Sequence, residues 1–206
     1  MANMANIAVL VSGGGTNLQA LIDAQGKTLL SGKITLVVAN NRDAYALERA
    51  KNAGIETAVV LKKECGGQEG FETKLMELLD SHKIDVIVLA GFMTILTARF
   101  TCHYPKRILN VHPSLIPSFC GEGFYGLRVH EEALRYGVKV TGATVHFVNE
   151  IPDGGEIIAQ KAVEILPGDT PEILQRRVME QAEWILLPQA TETVCASLGG
   201  NGYECL

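Results

Sequence analysis

Residues 7–22 read IAVLVSGGGTNLQALI, in which an apolar run leads into a glycine cluster and then into apolar residues at helical spacing. A strand that is buried on both faces is apolar throughout, so residues 7–11 are predicted to form such a strand. The glycines permit a tight loop, and the residues from Thr16 onward are predicted to form a helix. This order of strand, loop and helix favours an α/β fold with a parallel sheet.

The alternation of strand and helix continues through the first half of the chain. Short apolar runs predict strands, and the segments with helical spacing between them predict helices. The further predicted strands are residues 34–39, 57–61, 85–90 and the run 107–109, and the predicted helices are residues 44–53 and 70–83. Buried strands that alternate with helices predict a doubly wound, mostly parallel sheet with helices on both faces and right-handed crossovers.

The second half of the chain has a different pattern. Residues 119–126 are rich in glycine and aromatic residues, which predicts a shaped surface loop, and residues 129–136 predict a helix. Residues 138–148 and 156–165 predict two strands on either side of the turn 152–155, most simply as an antiparallel pair.

The last predicted helix has a defined start. Thr170 is placed as its N-cap and Pro171 at its first helical position, where the missing N–H removes no hydrogen bond. From Gly199 onward the sequence predicts a frayed tail. Because there is no internal repeat and no low-complexity linker, residues 1–206 are predicted to form a single domain.

The composition argues against several classes of protein. The 206 residues carry a net charge of -5, which disfavours a general nucleic-acid binder. No apolar run approaches the length of about 18 residues that a membrane span requires, and no basic segment precedes the first strand as in a signal peptide. The five cysteines are scattered without a C-x-x-C pair, which disfavours a disulfide framework and a zinc site and favours the cytoplasm.

The glycine loop is a candidate phosphate site. It lies between a parallel strand and a helix N-terminus, where anions bind, and Gly13, Gly14 and Gly15 let a phosphate approach the backbone. Thr16 and Asn17 add side-chain donors. The dinucleotide and P-loop signatures are incomplete, so a monophosphate is favoured over NAD or ATP. The alternative is a tight turn in which glycine serves only the backbone conformation.

The segment NVHPSLIP, residues 110–117, is a second candidate site. If the preceding apolar run is a strand, Asn110 and His112 project to the same side. A carboxamide beside an imidazole suits the stabilisation of an oxyanion on a carbonyl under attack. The alternative is a strand that ends in a proline-rich turn, with the histidine capping a neighbouring backbone group.

The segment LAGFMTIL, residues 89–96, ends at the same predicted edge of the sheet. Its exposed-looking residues Phe92, Met93, Ile95 and Leu96 could line an apolar slot for a flat heterocycle. The alternative is a strand end that continues into a core helix.

Asp153 lies in an Asp-Gly-Gly triplet, which is most often a plain hairpin turn. In the alternative interpretation the turn holds the carboxylate against His112, where it would raise the imidazole pKa, orient the ring and accept a proton. His146 alternates with apolar neighbours, so it is interpreted first as a buried core histidine and second as a support for the site.

Five motifs together resemble the phosphoribosylglycinamide formyltransferases, a family of folate-dependent enzymes of purine biosynthesis with a Rossmann-like fold. The motifs occur in the family's order over about residues 6–188, nearly the whole chain. They are SGGGTNL at 12–18, LAGFM at 89–93, NVHPSL at 110–115, GATVHFV at 142–148 and DGG at 153–155. The resemblance implies transfer of a formyl group from 10-formyltetrahydrofolate, a co-substrate, to the amine of glycinamide ribonucleotide, without a metal ion.

The resemblance also implies roles for individual residues. Asn110, His112 and Asp153 match the family's catalytic residues, and Glu183 matches the acid that binds the substrate ribose. The residues that match the loop around the substrate phosphate are Gly13, Gly14, Gly15, Thr16 and Asn17. The residues that match the folate pocket are Phe92, Met93, Thr94, Ile95 and Leu96, with the turn before Asp153.

The chain departs from the family at Arg128, where many members carry a histidine, and this arginine could alter the local charge or reach a phosphate or a folate carboxylate. A formyltetrahydrofolate hydrolase would need a regulatory domain before this one. A methionyl-tRNA formyltransferase would need an RNA-binding domain after it. Neither of these two enzymes is expected here. A non-catalytic phosphate- or folate-binding regulator is disfavoured by the three catalytic-type residues. The expected partners are small molecules, and the state is either a monomer or a homodimer.

Overall fold

The computed structural model describes residues 4–198, and the strands within that range form one seven-stranded sheet. The strands are β1 (Ala5–Val11), β2 (Gly32–Ala39), β3 (Glu56–Val59), β4 (Val86–Leu89), β5 (Ile108–His112), β6 (Val140–Phe147) and β7 (Ile157–Glu164). Their order across the sheet is β3-β2-β1-β4-β5-β6-β7. The predicted tail from Gly199 onward lies outside the described residues.

The strand pairing confirms the predicted fold class. The pairs β1–β2, β1–β4, β2–β3 and β4–β5 are parallel, whereas β6 is antiparallel to both β5 and β7. The predicted antiparallel pair therefore forms, and it is attached to the parallel part of the sheet through β5.

Helices cover both faces of the sheet. Those described are α1 (Thr16–Ala24), α2 (Ala46–Asn52), α3 (Gln68–Ser81), α4 (Ala98–His103), α5 (Leu127–Tyr136), α6 (Pro171–Val178) and α7 (Trp184–Leu198). One apolar cluster joins the sheet to α1, α2, α6 and α7, and a second joins it to α3 and α4. Helix α4 is too short to produce a helical pattern in the sequence. No helix within residues 4–198 combines the length and the apolar character needed to cross a bilayer.

The strand order places the predicted site segments together. The chain runs from β1 outward to β2 and β3, and then returns to β4 on the other side of β1. In an open α/β sheet, ligands bind outside the carboxyl ends of the strands at such a reversal. The glycine loop follows β1, residues 90–97 follow β4, and β5 ends at His112. The three segments therefore meet at one edge of the sheet.

The last helical region begins as predicted. Thr170 caps α6, because its Oγ1 atom accepts a hydrogen bond of 3.4 Å from the backbone N–H of Ile173, and Pro171 occupies the first helical position. A wide π-helical turn, Met179–Glu183, separates α6 from α7, and no pattern in the sequence predicts it. Pro188 lies inside α7, where it removes one backbone donor from the helix.

Replacing Thr170 with alanine removes the cap, so we expect the free energy of unfolding to fall by about 1 kcal/mol. Urea denaturation followed by circular dichroism measures this change. Thr193→Ala is the matched control, because Thr193 is exposed within α7 and its hydroxyl donates to the Gln189 carbonyl of the same helix. The control should change stability by less than about 0.5 kcal/mol. Equal losses of unfolding free energy in Thr170→Ala and Thr193→Ala would show that the Thr170 cap does not stabilise the protein.

Candidate active site

The pairing of β5 with β6 places four polar side chains on one face of the sheet. Asn110 lies opposite His146, and His112 lies opposite Thr144. Directly paired residues share a face, as do residues i and i+2 of one strand. Asn110 and His112 therefore project to the same side, as the alternation along a strand predicts.

His112 is buried between a backbone carbonyl and a carboxylate, with 4% of its surface exposed. Its Nε2 atom lies 2.8 Å from the carbonyl oxygen of Phe119, which can only accept, so Nε2 carries a proton. Its Nδ1 atom lies 3.4 Å from Oδ2 of Asp153. His112 therefore makes the backbone contact expected of a histidine that caps a turn. It also makes the carboxylate contact expected of a histidine in an active site.

Asp153 lies in the connection between β6 and β7, with a φ of 56° in the left-handed region. Its Oδ2 atom accepts a 2.9 Å hydrogen bond from the backbone N–H of Gly121. Its Oδ1 atom lies 3.5 Å from Nε2 of His146. Phe119 and Gly121 therefore hold the imidazole of His112 and the carboxylate from a single loop.

Burial and charge act in opposite directions on this pair. Burial lowers the pKa of His112 and outweighs the Asp153 carboxylate and the Phe119 carbonyl, which raise it. The carboxylate raises this pKa as predicted, but the net direction is downward because desolvation is the larger influence. Burial raises the pKa of Asp153, but the rings of His146 and His112 and the N–H of Gly121 outweigh it and hold the pKa below its usual value. At neutral pH the pair is an uncharged imidazole beside a carboxylate.

His146 is buried and positions the amide of Asn110. Its Nδ1 atom lies 2.8 Å from the carbonyl oxygen of Phe147, which can only accept, so this nitrogen donates the hydrogen bond. Its Nε2 atom then accepts a 3.2 Å hydrogen bond from Nδ2 of Asn110. This bond uses one of the two amide hydrogens and holds the amide on the face that it shares with His112. His146 is thus a core histidine that also contacts the site.

The predicted phosphate loop is joined to the predicted ribose-binding residue. Gly13 and Gly14 are exposed at the N-terminus of α1. Nδ2 of Asn17 donates a 2.8 Å hydrogen bond to Oε2 of Glu183, which lies in the π-helical turn. Glu183 is 7% exposed, and burial raises the pKa of its carboxyl group.

Of two surface cavities, one adjoins these elements. One, of about 760 Å³, lies between the end of β3 and α3, is lined in part by glutamates, and includes none of the predicted site residues. The other, of about 410 Å³, follows α1 from Thr16 and is also lined by Arg49 and Trp184. The second cavity therefore adjoins the glycine loop.

The segment after β4 is partly exposed and partly in the core. Met93 and Ile95 are exposed by 56% and 64%. Leu96 is buried in the cluster that joins the sheet to α3 and α4, and the ring of Phe92 stacks on Phe71 with centroids 6.4 Å apart. The predicted exposure is therefore wrong for Leu96 and holds only in part for Phe92, because the chain turns both side chains inward.

This segment is also tied to the neighbouring loops. The backbone N–H of Met93 donates a 2.8 Å hydrogen bond to Oγ of Ser12, the residue before the glycine loop. Nδ2 of Asn40, at the end of β2, donates a 2.8 Å hydrogen bond to Oγ1 of Thr94. The candidate folate segment and the candidate phosphate loop are therefore in direct contact.

Two buried polar residues have no counterpart among the sequence predictions. Glu72 on α3 accepts hydrogen bonds from the N–H and the hydroxyl of Thr97, at 2.7 and 2.6 Å, and so anchors the segment after β4.

His130 on α5 is fully buried, and neither ring nitrogen has a hydrogen-bond partner among residues 4–198. Burial, and then the nearby His112, lower the pKa of His130 to about 4. Arg128 on the same helix is exposed. The helical spacing of a sequence predicts which side chains point inward, but it does not predict which groups those side chains contact.

The doubly wound sheet carries an amide and an imidazole at its carboxyl edge with a carboxylate beside them, a set that suits attack on a carbonyl group in an α/β enzyme. No group of three or more His, Cys, Asp or Glu side chains in the described part of the chain is arranged to hold a metal ion. Residues 5–191 match the family model described as formyl transferase, and the chain belongs to this family. The family implies a folate-type formyl donor and small-molecule substrates.

Three individual proteins are each similar to most of this chain. The chain is 42% identical over 176 residues to phosphoribosylglycinamide formyltransferase of Escherichia coli (strain K12), covering 85% of this chain and 81% of that one. It is 42% identical over 204 residues to the trifunctional purine biosynthetic protein adenosine-3 of Bos taurus, but it spans 20% of that longer protein. The crystal structure of phosphoribosylglycinamide formyltransferase from Brucella melitensis superposes with a TM-score of 0.86 at 41% identity, covering 94% of this chain and 97% of the other.

His130 should make stability depend on pH. In the unfolded chain this histidine binds a proton near pH 6.5, whereas in the folded chain it does so only near pH 4. As the pH falls through this window the unfolded state binds more protons, so stability decreases, by up to about 3 kcal/mol. We expect His130→Leu to reduce this decrease, as measured by urea denaturation at a series of pH values.

The control for this prediction is His103→Leu, because His103 is an exposed histidine on α4. This variant should change the pH dependence less than His130→Leu does, because it removes no buried ring. An unchanged slope in His130→Leu would contradict the assignment of the pH dependence to the buried ring.

Proposed function

We propose that this chain transfers the formyl group of 10-formyltetrahydrofolate to the amine of glycinamide ribonucleotide. The observation that carries the proposal is the 3.4 Å approach of Asp153 to His112 on the sheet edge that also holds Asn110. Relatives named phosphoribosylglycinamide formyltransferase support it.

The acceptor binds with its phosphate at the glycine loop and its ribose at Glu183. Backbone N–H groups at the start of a helix attract a phosphate, and the side chains of Thr16 and Asn17 add donors. The carboxylate of Glu183 accepts hydrogen bonds from ribose hydroxyls, and its 2.8 Å bond with Asn17 fixes the spacing of the two subsites.

The formyl-folate binds along the segment after β4. Met93 and Ile95 provide the exposed apolar surface that a flat ring requires, and Thr94 provides a hydroxyl. Phe92 and Leu96 support this segment from the core. The bond between Met93 and Ser12 brings the donor close to the phosphate loop, so the two substrates are held side by side.

The acceptor amine attacks the formyl carbon and produces a tetrahedral intermediate with a negatively charged oxygen. Nδ2 of Asn110 and Nε2 of His112 donate hydrogen bonds to this oxygen. Because Nε2 carries a proton on the neutral ring, His112 need not be charged before the substrates bind. Its bond to the Phe119 carbonyl breaks when the formyl oxygen takes that position. The developing negative charge then raises the pKa of the ring.

Asp153 receives the proton that the attacking amine releases, directly or through a water molecule. Its low pKa keeps it a carboxylate at neutral pH, ready to accept. The bond between the formyl carbon and N10 of the folate then breaks, and the proton passes to N10. One proton leaves the neutral amine and one reaches N10 of the folate, so the transfer step balances.

We further propose that the chain acts in the cytoplasm as a single domain on small molecules, without a nucleic-acid or membrane partner. Among residues 4–198 the cysteines are unpaired, which suits a reducing compartment. The net charge of -5 disfavours binding to nucleic acid.

The direct test is consumption of 10-formyltetrahydrofolate by the purified protein, followed by absorbance. We expect consumption only when glycinamide ribonucleotide is present, because the formyl carbon needs the bound amine as nucleophile. Equal consumption without the acceptor would favour a formyltetrahydrofolate hydrolase. Binding of both ligands without turnover would favour a regulator.

Replacing His112 with alanine removes one donor to the oxyanion, so kcat should fall by about 10²–10³-fold. Binding of glycinamide ribonucleotide, measured by calorimetry, should change by less than about 3-fold, because the phosphate and ribose subsites lie elsewhere. His103→Ala is the control and should leave both quantities unchanged. Lost binding with a near-normal rate per bound substrate would show that His112 has a different role.

A further inference from the structure

The carbonyl groups of Gly13, Gly14 and Gly15 all accept hydrogen bonds from residues of α1 or α2. The carbonyl of Gly13 accepts a 3.1 Å hydrogen bond from the backbone N–H of Ala46, at the start of α2. The carbonyl of Gly14 accepts a 2.9 Å hydrogen bond from Nε of Arg49, one turn further along α2. The carbonyl of Gly15 accepts a 2.9 Å hydrogen bond from the N–H of Gln19 in α1.

These bonds fix the direction of the next three N–H groups. In a trans peptide the N–H points opposite to the preceding carbonyl, and the only cis bond among the described residues lies elsewhere. Because the three carbonyls point into α1 and α2, the N–H groups of Gly14, Gly15 and Thr16 point away from them. These N–H groups find no acceptor among residues 4–198. Consecutive free N–H groups of this kind form an anion site.

Arg49 is the only side chain among the three donors, and it is itself held in place. Its Nη1 atom donates a 3.1 Å hydrogen bond to Oε1 of Gln19, and its guanidinium lies 5.1 Å from the ring centroid of Tyr45. The loop also packs tightly on α2, since a Cβ atom at Gly15 would lie 2.6 Å from that of Ala46. The half-buried arginine is therefore held by three contacts, with the Gly14 carbonyl, the Gln19 side chain and the Tyr45 ring.

We propose that Arg49 is a positioning residue for the acceptor phosphate. It holds the peptide between Gly14 and Gly15 with its carbonyl turned inward and its N–H turned toward the phosphate. Without this bond the peptide is free to rotate, which would present a carbonyl oxygen to the anion. This inference rests on the proposed function, since it assumes that the loop binds the phosphate of the acceptor.

The test compares two acceptors, glycinamide ribonucleotide and the same riboside without its phosphate. Arg49→Met keeps most of the apolar stem but removes the donor. We expect its KM for the phosphorylated acceptor to rise by about 10-fold or more, with kcat at saturation within about twofold. With the riboside, kcat/KM should stay within about twofold of the wild-type value, and the KM for formyl-folate should not change.

A second variant separates the hydrogen bonds from the charge. Arg49→Lys keeps the positive charge, but one ammonium group cannot reproduce the planar fork that bonds both Gly14 and Gln19. Its KM for the phosphorylated acceptor should fall between the values for the wild type and Arg49→Met. If Arg49→Met does not fold, as judged by circular dichroism, Arg49→Lys carries the same comparison.

Arg42→Met is the matched control, because Arg42 lies in the connection just before α2 but pairs with Glu64 on the surface. It should change neither acceptor's kcat/KM by more than about twofold. An equal rise in KM in Arg42→Met would show a general effect of charge and overturn the proposal. Equal losses with both acceptors in the Arg49 variants would show a merely structural role and also overturn it.

Failure of the proposed function is distinguishable from failure of this inference. If the wild-type protein uses neither acceptor, or uses both equally well, the phosphate subsite is wrong and the role of Arg49 falls with it. If the wild-type protein prefers the phosphorylated acceptor and the Arg49 variants keep that preference, only the role of Arg49 is overturned.

Discussion

The antiparallel pairing of β6 with β5 is the constraint on which the site depends. It sets Asn110 opposite His146 and His112 opposite Thr144. A shift of β6 by one residue would turn His146 and Thr144 to the opposite face, which is filled by the apolar core. Because β6 ends opposite the start of β5, the connection to β7 folds back over the polar face, where Asp153 lies 3.4 Å from His112 and 3.5 Å from His146.

Backbone groups do much of the orienting at this edge. The carbonyl of Phe119 and the N–H of Gly121 hold the imidazole and the carboxylate from one loop. Burial keeps His112 uncharged, while the N–H and the neighbouring rings keep Asp153 ionised. The glycine loop follows the same principle, since its carbonyls are bonded away from the ligand side. A site built in this way needs few charged side chains and suits substrates that bring their own charge.

Local patterns predict the fold class and part of the site. Alternation along one strand is enough to place Asn110 and His112 on the same side, and a glycine cluster after an apolar run predicts the loop at the carboxyl edge. Asp153 is different, because it is distant in the sequence and its Asp-Gly-Gly turn by itself favours a plain hairpin, with a contact to His112 only as the alternative. The direction of the His112 pKa and the burial of Leu96 escape prediction, since desolvation depends on tertiary packing that local patterns do not record.

The most direct measurement is a crystal structure of the protein with glycinamide ribonucleotide and a non-reactive formyl-folate analogue. The convergence of three side chains on one carbon predicts that Nδ2 of Asn110 and a ring nitrogen of His112 lie within about 3.2 Å of the formyl oxygen. It also predicts that Asp153 reaches the acceptor amine directly or through one water molecule. A formyl group well beyond hydrogen-bonding distance of both donors, with Asp153 turned away from the amine, would contradict the account.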